Sequence, residues 1–261
     1  MKTCFLYGAI GGDIIGSRFE WNNLNSKDFQ LFTDESVFTD DTVLTIATAD
    51  AILHKMNYTT AYSRWGNEYP RAGYGGSFQR WMRSKEKEPY NSWGNGSAMR
   101  ISPVGWIAKD IEEVLSEAKA SAEVTHNHPE GIKGAQTAAL AVFMAKNGAS
   151  KDEIRKEIEN RFGYELSSGT LDDIRPEYSF DVSCQGTLPV ALRAFLESED
   201  YEDAIRTAVS IGGDSDTIAA ITGGIALAFY KDMPYHIILN IERRLTPEMR
   251  DICRDFFIAY N

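Results

Sequence analysis

Apolar residues recur at helical spacing along most of this chain. Ile218, Ile221 and Ile225 show the pattern, in which side chains three or four positions apart share one face of a helix. The same spacing predicts helices over 4–18, 40–55, 58–69, 97–125, 129–147, 151–161, 186–198, 201–211, 217–230 and 246–258. Helices therefore account for most of the predicted structure.

Helix-terminating and helix-starting residues lie between these segments. Asn147-Gly148 ends one predicted helix, and Ser150 with Glu153 forms a capping box for the next. Thr246-Pro247 starts the last helix, with proline at its first position. The alternating residues Tyr178, Phe180 and Val182 fit a short strand, but one strand cannot form a sheet. We therefore predict an all-α fold, a compact orthogonal multi-helix bundle.

Chain length and composition indicate a single domain over residues 1–261. The chain is 43% hydrophobic, which is enough to build a sizeable core, and no linker, low-complexity tract or repeat interrupts it. No apolar run approaches the roughly 20 residues that a membrane-spanning helix needs. No heptad pattern or exposed apolar stripe indicates a dimer, so we expect a monomer.

Charge and cysteine content exclude several classes of partner. With 27 Lys+Arg against 38 Asp+Glu, the net charge is −11, which opposes general binding to nucleic acid or anionic membranes. The three cysteines, Cys4, Cys184 and Cys253, are an odd number and argue against a disulfide framework. We expect a cytoplasmic protein whose cysteines act as small hydrophobic residues.

Two acidic clusters each precede an apolar-periodic helix. They are Phe38-Thr39-Asp40-Asp41-Thr42 and Gly212-Gly213-Asp214-Ser215-Asp216-Thr217. A single Asp or Thr would be an ordinary helix cap, but the clusters together offer four carboxylates. If the fold brings them together, a divalent cation such as magnesium, manganese or calcium is needed to neutralise them. An EF-hand does not fit, because the second cluster lacks the turn glycine and closing glutamate, and no zinc spacing is present.

Six segments, in order along the chain, resemble the ADP-ribosylglycohydrolase family, which includes dinitrogenase reductase-activating glycohydrolases and ADP-ribosylhydrolases. Besides the two acidic clusters, they are Gly8-Ala9-Ile10-Gly11-Gly12-Asp13-Ile14-Ile15-Gly16-Ser17-Arg18-Phe19-Glu20, Gly73-Tyr74-Gly75-Gly76, Gly94-Asn95-Gly96-Ser97-Ala98-Met99-Arg100 and Thr125-His126-Asn127-His128. The resemblance spans most of the chain, and it independently implies an all-α fold.

The resemblance also implies two bound divalent cations, Mg2+ or Mn2+. The positions that match the family's ligands are Thr39, Asp40, Asp41, Asp214, Asp216 and Thr217. A pair of metals can clamp two adjacent hydroxyl groups, here those of the ribose of a bound ADP-ribose.

For catalysis, the resemblance implies a role for Glu20 as mobile metal ligand and acid/base candidate. Asp41 and Asp214 are the alternatives for activating water, and the sequence does not separate these roles. Asp13, flanked by glycine in the first apolar helix, is as well explained by a buried, hydrogen-bonded structural role.

The remaining motifs are expected around the ligand. Those assigned to substrate binding are Gly73, Tyr74, Gly75, Asn95, Gly96, Ser97, Met99 and His126. Tyr74 either stacks on the ligand or merely packs, and the Gly94–Gly96 turn precedes a predicted helix whose N–H groups favour a phosphate. His128 is the less certain of the two histidines as a contact, and Cys184 is expected to be buried at the entry of a helix.

We therefore expect a metal-dependent hydrolase that removes ADP-ribose from a modified protein or a small conjugate. The acceptor is serine (O-linked) or arginine (N-linked), with a slight preference for serine. Two alternatives stay open: a member of the family that binds ADP-ribose or has a structural role without hydrolase activity, and a two-metal hydrolase of another nucleotide-derived glycoside.

Overall fold

The computed structural model describes residues 3–261, and helices dominate it. The α-helices are α1 (Tyr7–Gly16), α2 (Asp40–His54), α3 (Tyr58–Glu68), α4 (Gly76–Arg83), α5 (Gly96–Met99), α6 (Ser102–Ile107), α7 (Ile111–Glu123), α8 (Pro129–Lys146), α9 (Lys151–Phe162), α10 (Leu171–Ile174), α11 (Cys184–Glu197), α12 (Tyr201–Val209), α13 (Ser215–Tyr230), α14 (Tyr235–Arg244) and α15 (Pro247–Tyr260). A 3₁₀ helix, Ser17–Phe19, continues α1. Between residues 3 and 261 there is no strand, only one antiparallel bridge between Gly94 and Ser183. The predicted all-α fold is confirmed.

The centre of the molecule is the pair α1 and α13, which pack closely along each other. All 10 residues of α1 are buried, so this helix is surrounded on every side. A side chain at Gly12 would collide with the carbonyl oxygen of Ala219 on α13, and glycine there permits the close approach of the two backbones. The hydrophobic core continues outward from this pair and reaches from Leu6 to Phe256.

Most predicted helices lie within three residues of the observed ends, and their caps have the expected chemistry. Ser150 and Glu153 form the capping box of α9, and Thr246 caps α15 by accepting a hydrogen bond from Met249 N. Cys184 is buried as the first residue of α11, and Cys253 is also buried, whereas Cys4 is partly exposed.

The single helix predicted over 97–125 is wrong, because three helices occupy this region. Pro103 lies at the start of α6 and has no backbone N–H, so it cannot donate to Met99 O and continue α5 as one helix. Asp110 then starts α7 by accepting a hydrogen bond from Glu113 N at 2.8 Å. The prediction followed the apolar spacing and overlooked both of these signals.

Two amphipathic helices of eight residues or more were not predicted. Helix α4 buries Phe78, Trp81 and Met82, and α14 buries Ile237 and Ile241. The segment 178–182 is not a strand. Phe180 and Val182 line the cleft described below, whereas Tyr178 lies against Gly213.

Among the helices of residues 3–261, none is both long enough and apolar enough to cross a lipid bilayer.

Candidate functional site

The first turns of α2 and α13 open into the same cleft, which has a volume of about 420 Å³. Its lining includes both acidic clusters and the Gly94–Gly96 turn. The residues are Glu20, Trp21, Thr39, Asp40, Asp41, Leu44, Gly73, Gly75, Gly76, Ser77, Phe78, Tyr90, Ser92, Gly94, Asn95, Gly96, Met99, Arg100, His126, Phe180, Val182, Asp214, Asp216 and Thr217. The fold therefore brings together two acidic segments that are far apart in the chain.

The first acidic cluster is held in place by Asp13 of α1. Its Oδ1 accepts a hydrogen bond from Thr39 Oγ1 at 2.7 Å, and its Oδ2 accepts from the backbone N–H groups of Thr39 and Thr42 at 2.9 and 3.1 Å. The Thr42 hydroxyl also donates to Oδ2. Asp13 is fully buried, so it anchors the first turn of α2 in the way expected of a structural aspartate.

The second cluster begins with a left-handed turn at Gly212 and Gly213. At Gly213, φ is +69°, a conformation that glycine adopts without strain, and the turn directs Asp214 toward the cleft at the start of α13. Asp216 lies in the first turn of α13. Thr217 Oγ1 donates a hydrogen bond to Asp41 Oδ2 at 3.2 Å, which links the two clusters directly.

Carboxylate oxygens gather in two groups at this junction. One oxygen each of Asp13, Asp41 and Asp216 lie within 4.8 Å of one another, and so do oxygens of Glu20, Asp214 and Asp216. Asp41 Oδ1 is buried and has no hydrogen-bond partner. An unpartnered buried carboxylate oxygen is costly unless a cation binds it.

The titration behaviour of these groups agrees with that geometry. Burial, reinforced by the charges of neighbouring carboxylates, raises the pKa of Asp40, Asp41 and Asp216 well above the usual range. Burial also raises the pKa of Asp13, to about 6. Hard oxygen ligands from carboxylates and threonine hydroxyls suit magnesium or manganese, so this donor set fits divalent cations and could hold them.

Glu20 lies at the mouth of the cleft, immediately after the 3₁₀ helix. Burial and the charge of Asp214 raise its pKa to about 7, and a hydrogen bond with Trp21 partly opposes the rise. Trp21 stacks on Phe180 with ring centroids 5.1 Å apart, although Trp21 is 79% and Phe180 41% exposed. This exposed aromatic pair connects the segment that carries Glu20 to the segment before α11.

The residues predicted to bind substrate divide into two groups. Gly73, Gly75, Asn95, Gly96, Met99 and His126 line the cleft. Tyr74 and Ser97 do not: Tyr74 is buried against Phe78 with ring centroids 5.1 Å apart, and Ser97 Oγ donates to Gly131 O at 2.7 Å. Tyr74 therefore packs, as one of the two interpretations of its motif expected.

Asn95 has a role that its motif did not indicate. Its side-chain Nδ2 donates hydrogen bonds to Asp214 Oδ2 at 2.6 Å and to Thr187 Oγ1 at 3.0 Å. It therefore orients a carboxylate of the second cluster, in addition to lining the cleft. Helix α5, which follows it, has four residues, so the long helix expected after this turn is absent.

Several cleft residues were missed in the sequence. Leu44, Tyr90, Phe180 and Val182 are apolar or aromatic residues outside the recognised motifs, and nothing in the local pattern separates them from core residues. Arg100 closes a motif but was given no role, and the structure buries it completely at the base of the cleft.

Comparisons with known proteins agree with this geometry. A family model described as ADP-ribosylglycohydrolase matches residues 4–261. The ADP-ribosylhydrolase ARH3 of Mus musculus is 26% identical, over 86% of this chain and 82% of its own length. The ADP-ribosylarginine hydrolase Tri1 of Pseudomonas putida (strain GB-1) is 28% identical, over 86% of this chain and 69% of its own.

A solved structure has the same fold. A chain of the "ADP-ribosylglycohydrolase-related protein complex" superposes with a TM-score of 0.75 at 23% identity, covering 99% of this chain and 97% of that one.

Proposed function

The chain belongs to the ADP-ribosylglycohydrolase family, and on that premise we propose that it is a metal-dependent ADP-ribosyl hydrolase. The reaction is removal of ADP-ribose from a modified acceptor by hydrolysis at the anomeric carbon of the ribose. Family membership and the names of the relatives support ADP-ribosyl hydrolase activity, and to this we add the metal dependence and the acceptor as proposals.

The observation that carries this proposal is the convergence of the two acidic clusters on one cleft. Thr217 of the second cluster donates to Asp41 of the first, and Asp41 Oδ1 is left buried without a partner. A protein with only a structural use for these residues has no need of such crowded, buried carboxylates.

Two divalent cations, Mg2+ or Mn2+, are the proposed cofactors, which when bound neutralise the carboxylates and polarise the ribose hydroxyls. The residues proposed to hold them are Thr39, Asp40, Asp41, Asp214, Asp216 and Thr217, with Glu20 as a mobile ligand. Asp13 and Asn95 orient this set, because Asp13 accepts a hydrogen bond from Thr39 and Asn95 donates one to Asp214.

Glu20 is the proposed acid/base group. It lies at the cleft mouth beside Asp214, where one of its carboxyl oxygens can pass a proton to the departing acceptor or take one from water. Asp41 and Asp214 are the alternative groups for taking the proton from water. Because positive charge develops at the anomeric carbon during cleavage, the remaining carboxylates stabilise the transition state electrostatically.

The rest of the cleft is proposed to bind the ADP-ribose itself. Glycines at 73, 75 and 96 leave room for the ligand to approach the backbone, and His126 offers a polar ring beside the Gly94–Gly96 turn. Serine O-linked and arginine N-linked ADP-ribose are the two proposed substrates, and the mouth of the cleft, with Trp21 and Phe180, is where the acceptor would lie.

The test is release of ADP-ribose from serine-linked and arginine-linked peptides in the presence of Mg2+ or Mn2+. We expect release from one of them by the wild type and none by the double variant Asp214→Ala with Asp216→Ala. The matched control is Asp251→Ala with Asp255→Ala, two exposed aspartates of α15, which should leave the rate unchanged.

Two other outcomes are informative. If ADP-ribose binds but neither peptide is cleaved, the protein is a binding member of the family or acts on another conjugate. If ADP-ribose does not bind at all, the proposed function is wrong.

A further inference from the structure

A buried chain of hydrogen bonds runs from Arg100 to His126 beneath the cleft. Arg100 Nη2 lies 2.9 Å from Thr125 Oγ1, and Thr125 Oγ1 lies 2.8 Å from His126 Nδ1. Arg100 and Thr125 are completely buried, and His126 is 6% exposed. Arg100 also donates to Ser121 O at 2.9 Å and lies over the ring of Tyr62.

The direction of this chain follows from the chemistry of its members. A guanidinium can only donate hydrogen bonds, so the Thr125 oxygen is the acceptor in the first contact. The Tyr90 hydroxyl also hydrogen-bonds with the Thr125 side chain, and as a neutral phenol it can donate to the same oxygen. With Arg100 and Tyr90 both donating to Thr125 Oγ1, the threonine proton is directed toward His126 Nδ1. In that arrangement Nδ1 of the imidazole accepts a hydrogen bond and carries no proton.

A neutral imidazole then has its single proton on Nε2. Burial, with the charge of Arg100, lowers the pKa of His126 well below its ordinary value, so the ring is neutral at physiological pH. A neutral ring that accepts at one nitrogen must donate at the other.

The Nε2 atom faces the cleft at the Gly94–Gly96 turn. A β-carbon at Gly96 would lie 3.2 Å from Nε2, and one at Gly94 would lie 3.6 Å from it. His126 itself lines the cleft with both of these glycines. The glycines thus leave space at Nε2 for an atom of a bound ligand.

We propose that Arg100 and Thr125 are positioning residues that hold His126 in the Nε2-protonated tautomer, so that it donates a hydrogen bond to an oxygen of the ligand. The tautomer is a property of the protein alone. The identity of the acceptor, a phosphate or hydroxyl oxygen of ADP-ribose, rests on the proposed function.

The tautomer is tested by nitrogen NMR of protein labelled with ¹⁵N-histidine, without ligand. The protein has four histidines, and the spectrum of His126→Gln assigns the His126 signals. In the wild type we expect the shift of an unprotonated nitrogen at Nδ1 and of a protonated one at Nε2. The opposite pattern would overturn the proposal without bearing on the reaction that the protein catalyses.

The contribution of Thr125 is tested with two variants of similar size. Thr125→Ser retains the hydroxyl and should retain the wild-type tautomer. Thr125→Val keeps the shape but removes the donor to Nδ1, so its spectrum should show a mixture of tautomers or the Nδ1-protonated form. A wild-type spectrum for folded Thr125→Val would show that Thr125 does not set the tautomer.

Binding of free ADP-ribose provides the second measurement. We expect Thr125→Val to bind it about tenfold more weakly than the wild type, since one ligand hydrogen bond is lost, while Thr125→Ser stays within about twofold. In the hydrolysis assay this loss should appear in KM, with kcat nearly unchanged. A loss confined to kcat, or an equal loss in both Thr125 variants, would contradict the proposed positioning role.

Two controls separate the possible failures. If Thr125→Val does not fold, Arg100→Met tests the same chain, because methionine keeps an unbranched side chain but has neither the charge nor the donor to Thr125, so the tautomer should no longer be fixed. A wild-type tautomer in folded Arg100→Met would contradict the role of Arg100. If the wild type has the expected tautomer but does not bind ADP-ribose, the proposed function fails while the positioning of His126 stands.

Discussion

Asn95 and Asp214 are joined by a hydrogen bond across 119 positions of the chain, from Nδ2 to Oδ2 at 2.6 Å. Both residues lie in the lining of the cleft and both are buried. The contact holds the Asp214 carboxylate at the start of α13 in one orientation. The Asn95 amide is held in turn, because it also donates a hydrogen bond to Thr187. The precision of the acidic site therefore depends on a residue that carries no charge.

Loss of this contact should weaken the site without unfolding the protein. For Asn95→Ala we expect the rate of ADP-ribose release to fall about 10- to 100-fold and the required Mg2+ concentration to rise, as when other partners of metal-ligating groups are removed. Rates measured across a Mg2+ titration test this. Asn67→Ala, on the exposed surface of α3, is the control and should match the wild type. An unchanged Mg2+ dependence in Asn95→Ala would mean that Asp214 needs no such partner.

The crowded carboxylates should make the metal-free protein less stable than a variant in which one of them is replaced by a neutral group. In Asp216→Asn, an amide replaces a carboxyl group whose pKa is raised by burial and by the charge of Asp41. With a chelator present, we expect this variant to be about 1 kcal/mol more stable than the wild type. With Mg2+ present, it should gain less stability than the wild type, because a ligand is missing.

Thermal unfolding with chelator and with Mg2+ measures both effects. Asp251→Asn, an exposed change on α15, should show the wild-type gain with Mg2+. Equal Mg2+ stabilisation of Asp216→Asn and the wild type would exclude Asp216 as a ligand.

His126 should make the stability of the protein depend on pH in acid. Its pKa is lowered in the folded state, mainly by burial and also by Arg100, so the unfolded chain takes up a proton first as the pH falls. The associated stability is complete above about pH 6.5 and is lost below it, by up to about 1.4 kcal/mol per pH unit.

Comparison of variants isolates this contribution. Between pH 7 and 5.5, His126→Gln should lose less stability than the wild type in urea unfolding. His236→Gln, in which the replaced side chain is 57% exposed, should follow the wild type. Parallel curves for the wild type and His126→Gln would show that His126 is not held neutral.

The exposed aromatic pair at the cleft mouth should affect activity more than stability. Phe180→Ala removes the stacking partner of Trp21, the residue next to Glu20, and we expect three- to tenfold slower release of ADP-ribose, or about 0.5–1.5 kcal/mol. The melting temperature should change little, because Phe180 is 41% exposed. Ile258→Ala, which truncates a 70% exposed apolar side chain on α15, should alter neither quantity. A drop in melting temperature as large as the drop in rate would indicate a purely structural role.

The approach of α1 to α13 should not tolerate even a methyl group. Gly12→Ala places a β-carbon against the backbone of Ala219, and we expect a loss of about 2 kcal/mol or more in the free energy of unfolding. Gly75→Ala is the matched control, since a β-carbon there meets no atom within 4 Å. Urea unfolding of both variants tests this, and equal stabilities would mean that the central helix pair adjusts easily.

Local patterns in the sequence were sufficient for much of the architecture. The helices, their capping residues and the position of both acidic clusters in first turns follow from spacing and cap chemistry within a few residues. The region 97–125 was mispredicted because apolar spacing was given more weight than Pro103 and Asp110, although both breaks are visible in the sequence.

What the sequence determined by itself was most of the long helices, the surplus of oxygen ligands in two clusters and the motifs that resemble a known family. Only the tertiary structure decided how these parts meet: that Thr217 contacts Asp41, that Asn95 orients Asp214, that Tyr74 packs inward, and that Arg100 reaches His126 through Thr125. The physical reason is that caps and helical faces are formed by neighbours in the chain. Contacts within the cleft instead depend on how distant helices pack, and α1 and α13 set that packing.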